Sequence, residues 1–311
     1  MINSIHFEKF SEFCGLEGKL SCLVFINDIG ANIISNVLLY ADDMKVFRTI
    51  NNINDCKCLQ EDLKNIEVWC ELNRLSLNIN KCCVVSYGRK ENLITFSYSL
   101  CDTGLRREDE VSDLGVLFDS KLNFNSHICQ LTNSCSRTLG FVIRNCKLFT
   151  NRQTFFTLYR CYVLSKINYC SVIWNSMYEK YLKMLESVQK RFLKYVYYRK
   201  NGYYPDHADY ELLLSNTELL LLKQYCQLNS MLYLYKITHH LIDDTQTLHQ
   251  LKLVVPRKNI RQQRTFEIGI PRTSHYQNSP LYRMCNYYNN LNIDIFCNNL
   301  AQIRKNILSL L

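Results

Sequence analysis

Two aspartates stand side by side inside an apolar run, "NVLLYADDMKVF", Asn36 to Phe47. Adjacent carboxylates repel each other, and burying either is costly unless a cation or hydrogen-bond donor compensates. The flanks "ISNVLLYA" and "MKVFRTI" read as two strands, so the pair is expected at a two-residue hairpin tip. Two readings stay open. The tip is a solvated turn, for which aspartate is a common residue. Or it is half of a divalent-metal site, because magnesium prefers oxygen ligands and keeps phosphate oxygens in its shell.

The rest of the first hundred residues is mixed. "CLVFIND" reads as an apolar strand or short helix ending at Asn27-Asp28. Asp55 is expected to be an N-cap, followed by a helix whose inner face carries Leu59, Leu63, Ile66 and Cys70 at spacings of three and four. Trp69 beside that face reads as core. "LSLNINKCCVVSYGR" and "VSDLGVLFD" return to strand character. From about Lys121 the pattern turns helical: helices are expected through 123–149, from Gln153 to about Trp174, from Tyr178 to about Tyr198, over 211–240 and over 293–311, with 250–285 irregular. With 9 Gly and 4 Pro in 311 residues, few turn residues interrupt this, which favours long helices.

The chain is basic, with Lys plus Arg 37 against Asp plus Glu 28, which suits a polyanionic partner without requiring one. The 16 cysteines show no CxxC and no zinc-finger spacing; His127, Cys129 and Cys135 come nearest to a metal set. "MINSIHFEKF" lacks the charged start and apolar core of a signal peptide, and the longest leucine-rich stretch is too polar to span a bilayer. The expected setting is intracellular, nucleus or cytoplasm, with reduced thiols and no membrane partner.

Several blocks occur in a telling order: "FINDI" (25–29), "LLYADD" (38–43), "LSLNINKC" (75–82) and "DLGVLFDSKLNFNSHI" (113–128). Further on come "LYRCYVLSKINYCSVIWN" (158–175), "LESVQKRFLKYV" (185–196) and "NSPLYRMCNYYNNL" (278–291). Together they resemble the reverse transcriptase of non-LTR retrotransposons, most closely the jockey-like elements of animals.

The resemblance implies an α+β fold. An incomplete palm would occupy 1–118, a helical thumb-like region 119–205, and a helical C-terminal region 206–311 with a basic loop at 256–283. It implies RNA-templated DNA synthesis with Mg2+, an RNA template, a DNA primer and deoxynucleotides. Asp42 and Asp43 would be the catalytic, metal-holding pair. Tyr40 would lie near the nucleotide or primer end, Lys81 would support the phosphates or the palm, and the Leu114-Gly115 strand would form the primer grip.

The family pattern is not complete. Its fingers and its first palm strand, which bears the first catalytic aspartate, should precede "FINDI", where about two dozen residues stand. Asp28 is no substitute. The family's Gly-x-Pro-Gln-Gly-Ser stretch corresponds to "CGLEGKLSCLVFIND", which lacks Pro-Gln. A palm without a central strand would expose sheet edges. The chain is therefore expected to be a truncated copy, inactive by itself. The alternative is a residual nucleic-acid-binding module. Its candidate contacts are Lys190, Arg191 and Lys194, interleaved with Tyr195, Tyr197 and Tyr198, and in the basic loop Arg257, Lys258, Arg261, Arg264, Arg272 and Arg283. A solvated helix face with tyrosines packed inward competes with it for the first group.

Overall fold

The computed structural model describes residues 1–7, 26–41, 43–90, 93–175, 178–205, 209–215, 217–255, 264–291, 293–296 and 299–310. The chain is mixed α and β, in two compact units, Met1–Asn123 and Phe124–Leu311.

In the first unit the strands are β1 (Ile2–Phe7), β2 (Asn36–Tyr40), β3 (Asp43–Thr49), β4 (Cys83–Tyr87) and β7 (Arg106–Glu108), in the sheet order β2-β3-β1-β4-β7. β1 runs antiparallel to both β3 and β4. The sheet thus has an inner strand where the sequence reading anticipated a gap. Its residues "INSIHF" carry no strong apolar alternation, because Asn3 is buried through side-chain bonds: its Nδ2 donates to Tyr98 Oη at 2.9 Å, and its Oδ1 accepts from Ser86 Oγ at 2.8 Å. Two short hairpins complete the strands: β5 (Ser99–Leu100) with β6 (Thr103–Gly104), and β8 (Glu110–Asp113) with β9 (Val116–Asp119).

One face of the sheet is dry. Ile5, Phe7, Met44, Val46 and Val84 pack on Leu59, Leu63 and Ile66 of helix α1 (Ile53–Leu72). Each such buried side chain contributes about 1.5–3 kcal/mol. The helix face expected from spacing is the buried one, Cys70 included. Its cap differs from the expectation. Asn52, not Asp55, is the N-cap: Asn52 Oδ1 accepts from the backbone N–H groups of Asn54 and Asp55, while the Asp55 carboxylate, at the third helical position, accepts from those of Asn51 and Asn52. This reciprocal box satisfies donors at the helix start that would otherwise have no intrahelical partner.

The second unit is helical: α2 (Asn125–Asn145), α3 (Arg152–Tyr159), α4 (Ser165–Asn168), α5 (Ser171–Trp174), α6 (Glu179–Asn201), α7 (Tyr210–Ser215), α8 (Leu222–Thr238), α9 (Thr245–Gln250), α10 (Ser274–Gln277), α11 (Pro280–Asn290) and α12 (Leu300–Leu310). One π-helical turn, Arg160–Leu164, joins α3 to α4. Stacked Tyr159 and Phe192, 4.1 Å apart, help fasten α3 to α6, and Gln189, fully buried beside them, donates to Leu220 O at 2.8 Å. A second core gathers α8, α11 and α12 around Met231, Leu234, Phe266, Met284 and Ile303. The helix expected over 211–240 is two helices, α7 and α8. The one expected from Ile293 begins at Leu300, and among the described residues 250–285 holds one short helix, α10, and the start of α11. Among the described residues no helix is long and apolar enough to cross a membrane, and no disulfide joins the cysteines.

Candidate functional site

β2 and β3 do form a hairpin, shifted by one residue from the expected tip. Tyr40 and Asp43 are directly opposed as its last pair, so Asp43 is the first residue of β3 and not a turn residue. Ala41, the first turn residue, has φ 53°, the left-handed region that an alanine enters only at some strain. Asp42 lies outside the described residues.

The register fixes what shares this end of the sheet. β1 ends with Phe7 opposite Met44, and β4 begins with Cys83 opposite His6. The C-terminus of β1, the Asp43 end of β3 and the start of β4 therefore lie together. Lys81 closes a 3-10 turn, Ile79–Lys81, just before β4 and is exposed at that same end. Asp43 is partly buried, and Tyr40 is 65% exposed.

Leu114 and Gly115 are not within a strand. They are the turn of the β8–β9 hairpin, at φ 45° and 80°. Positive φ at both central residues matches the twist of the flanking strands; glycine adopts it freely and leucine does not. This turn also reaches the Asp43 end. Asp113, immediately before it, forms an ion pair with Lys45, which lies two residues from Asp43 on the same face of β3. His6 sits opposite Lys45 on β1 and is buried. Burial pushes its imidazole down to about 4, with Asp113 opposing and Lys45 adding to the shift, so it is neutral near pH 7. Tyr40, Asp43, Lys81 and the Leu114-Gly115 turn are thus gathered at one end of one sheet.

Asp62 was not singled out from sequence, yet it holds the hairpin's entry. Its buried carboxylate on α1 accepts from Ile34 N and Ser35 N, both at 2.9 Å, just before β2. An acid placed one position from Leu63, on the buried side of a helix, was the available signal. The Lys45–Asp113 pair, 68 residues apart in sequence (113 − 45), left no signal at all.

The cationic candidates of the helical unit separate into kinds. Lys190 lies over the Tyr210 ring at 5.7 Å, and Arg191 donates to Ser136 O at 2.8 Å. Lys194 is partly buried. Tyr195 is buried edge-on against Phe155 and faces the core, as the competing reading had it. Tyr198 instead stacks on Tyr204 at 4.6 Å, and both are exposed. In the basic loop, Arg257, Lys258 and Arg261 lie outside the described residues, and Arg264 and Arg272 are exposed. Arg283 corrects the expectation for that loop. It is 4% exposed and donates to Asn278 O at 2.9 Å and Val172 O at 2.7 Å.

Among the described residues, no three His, Cys, Asp or Glu side chains are close enough to hold a metal ion. His127 packs beside Trp174, ring centroids 5.6 Å apart, and Cys135 faces Val163 O.

No protein-family model matches the chain. It is similar to a Caenorhabditis elegans protein named "Uncharacterized protein B0403.1", 36% identical over 93 residues. The alignment covers 30% of this chain and 46% of that protein, so the chain spans just under half of that relative's length.

Proposed function

We propose that this chain is the later palm and helical region of a reverse transcriptase of the non-LTR retrotransposon kind, and that alone it does not extend a primer. One observation carries the reading. Three sequence blocks far apart in the chain, carrying Tyr40 with Asp43, Lys81, and the Leu114-Gly115 turn, converge on one end of a single five-stranded sheet. An enzyme that positions a primer end, a nucleotide and its phosphates needs such convergence, since phosphoryl transfer is mostly positioning and charge stabilisation.

The donor set argues against activity in isolation. A two-metal centre needs several carboxylates with no competing cation among them. Here the described donors are Asp43, an Asp113 engaged by Lys45, and a neutral His6. The described residues do not fit such a centre, and no catalytic step is derived through one. The test is primer extension on an RNA template with deoxynucleotides and magnesium. The expected incorporation equals a protein-free blank, for wild type and Asp43→Asn alike. Magnesium-dependent extension that Asp43→Asn abolishes would overturn the inactivity.

The second reading, a nucleic-acid-binding module, has its own support. The exposed Tyr198–Tyr204 stack ends α6 beside exposed Lys200, and a tyrosine face offers a platform for unpaired bases. It predicts salt-sensitive, sequence-indifferent binding of single-stranded oligonucleotides that survives Asp43→Asn. Replacing Tyr198 and Tyr204 together by alanine is expected to weaken that binding about tenfold, as loss of roughly one stacked base would. Fluorescence anisotropy at low and high salt reads both effects, and affinity indifferent to salt would contradict the reading.

A further inference from the structure

Helices α2 and α6 run side by side in the same direction. Arg191 donates to Ser136 O at 2.8 Å, and further along both helices Arg199 Nη1 donates to Cys146 O and Lys147 O at 3.3 and 3.1 Å. Both C-termini therefore share one end of the helical unit. Arg199 Nη2 also donates to Phe149 O at 2.7 Å, so one guanidinium braces the turn that follows α2. Phe149 N closes that turn on Cys146 O at 3.1 Å, with Leu148 at its corner. These bonds satisfy carbonyls at the end of α2 and offset the negative end of its dipole.

The braced turn presents apolar groups to water. Leu148 is 94% exposed and Phe149 47%, and Phe141, near the end of α2, is 61% exposed. Single exposed apolar side chains are ordinary, but several at one helix end mark a contact surface. The charge around them has one sign. From Ser120 to Tyr178 the sequence holds no Asp or Glu. Arg144 and Lys147 are exposed beside the turn, and Lys200 is exposed at the end of α6. Exposed Tyr203 and Tyr204 follow directly, past Gly202.

The occupant must be negative and must accept a convex corner. A second copy of this chain would bring the same positive charge. A peptide helix docks in a groove, and a side chain as exposed as Leu148 lines none. Unpaired bases stack on aromatic rings but offer an aliphatic leucine little to be buried in. An anionic bilayer meets both needs. Its headgroups attract the cations, its acyl region takes Leu148 and Phe149, and tyrosines favour the boundary between the two.

We propose that the Leu148-Phe149 turn is a peripheral docking site for an anionic lipid surface. Leu148 and Phe149 enter the acyl boundary, and Arg144, Lys147 and Lys200 meet the headgroups. Such docking needs no spanning segment, and among the described residues no helix supplies one. A hydropathy window does not register two apolar residues in a turn, which is why the sequence pointed to no membrane partner. A shallow insertion or a few cations alone bind a membrane marginally, and the two signals together bind it stably. Arg199 is the positioning residue, because its three carbonyl bonds hold the turn at the end of α6.

Flotation of the full chain with vesicles tests the site. Phosphatidylcholine vesicles with about one-third phosphatidylserine should carry wild type up, and pure phosphatidylcholine should not. Leu148→Ser with Phe149→Ser should weaken binding roughly tenfold or more, and Lys147→Glu with Lys200→Glu by a similar factor. All four positions are exposed, so urea unfolding midpoints should match wild type. In Leu148→Trp, indole emission should shift to the blue on the mixed vesicles and be quenched by brominated acyl chains. Failure of wild type to float with the mixed vesicles overturns the site. Undiminished binding by the double serine variant, or unquenched emission in Leu148→Trp, overturns insertion of the turn. If the double serine variant loses oligothymidylate binding and keeps vesicle binding, the turn is a nucleic-acid contact and the lipid assignment falls. Primer extension plays no part in these outcomes, so failure here is distinct from failure of the proposed function.

Discussion

Replacing Asp62 by alanine is expected to destabilise the sheet-bearing unit by about 4 kcal/mol. The substitution leaves two backbone donors, Ile34 N and Ser35 N, without their acceptor. Each stranded donor costs about 1–3 kcal/mol, and bonds to an ionised acceptor lie at the upper end. Domain stabilities are about 5–15 kcal/mol, so the variant would lose a large share of the total. The consequence is local before it is global. These bonds fix where β2 begins, and so the register that sets Tyr40 opposite Asp43. Asp62→Asn keeps one acceptor oxygen and should lose about half as much. Urea unfolding, with hydrogen exchange of peptides covering 33–49, measures both. A loss below about 1 kcal/mol in Asp62→Ala would show that the hairpin's entry is held by something other than this carboxylate.

What could be read from sequence followed locality. The inner face of α1 was legible because Leu59, Leu63, Ile66 and Cys70 obey the helical period, and helical burial follows that period directly. The hairpin was legible because two apolar runs flank a polar pair. Its tip was off by one residue, since neither aspartate signals which of them pairs with Tyr40. Asp55 passed for the cap because in a capping box the third residue is also a side chain bonded to backbone.

The misses were non-local. β1 is polar at Asn3, Ser4 and His6, and as an inner strand it keeps the buried Asn3 side chain satisfied through Tyr98 and Ser86, 95 and 83 residues away. The Leu114-Gly115 stretch read as strand because only one of its two turn residues is a turn former. The candidate site shows the same division. The residue types at the Asp43 end were visible in order along the chain. The charge that sits among them, Lys45 held by Asp113, was not, and it is what alters the chemistry available there.

Arg283 puts the nucleic-acid reading and the packing of the helical unit in direct competition, and its variants should separate them. As a surface cation it would bind phosphates, and its loss would weaken binding with little effect on stability. The geometry argues the reverse. Its guanidinium ties α11 to the backbone at Val172 and Asn278, beside Tyr287, while Nη1 finds no partner among the described residues. Burial pulls its ionisation below the ordinary arginine range, so the charge is carried at a cost that the two bonds offset. Arg283→Ala removes those bonds, leaves two carbonyls unpaired and opens a cavity, for an expected loss of about 4 kcal/mol. Arg283→Met fills most of the volume and removes the buried charge, so its loss should be about 1 kcal/mol. Both variants, assayed where they are folded, should bind single-stranded oligonucleotide within about twofold of wild type, because a side chain 4% exposed cannot reach a phosphate from outside. Exposed Arg264 is the contrast: its alanine variant should keep full stability, and any change would appear in binding and its salt dependence. If Arg283→Met were fully stable yet bound several-fold more weakly, Arg283 would belong with the nucleic-acid contacts after all, and the buried tie to Val172 would be the interaction to abandon.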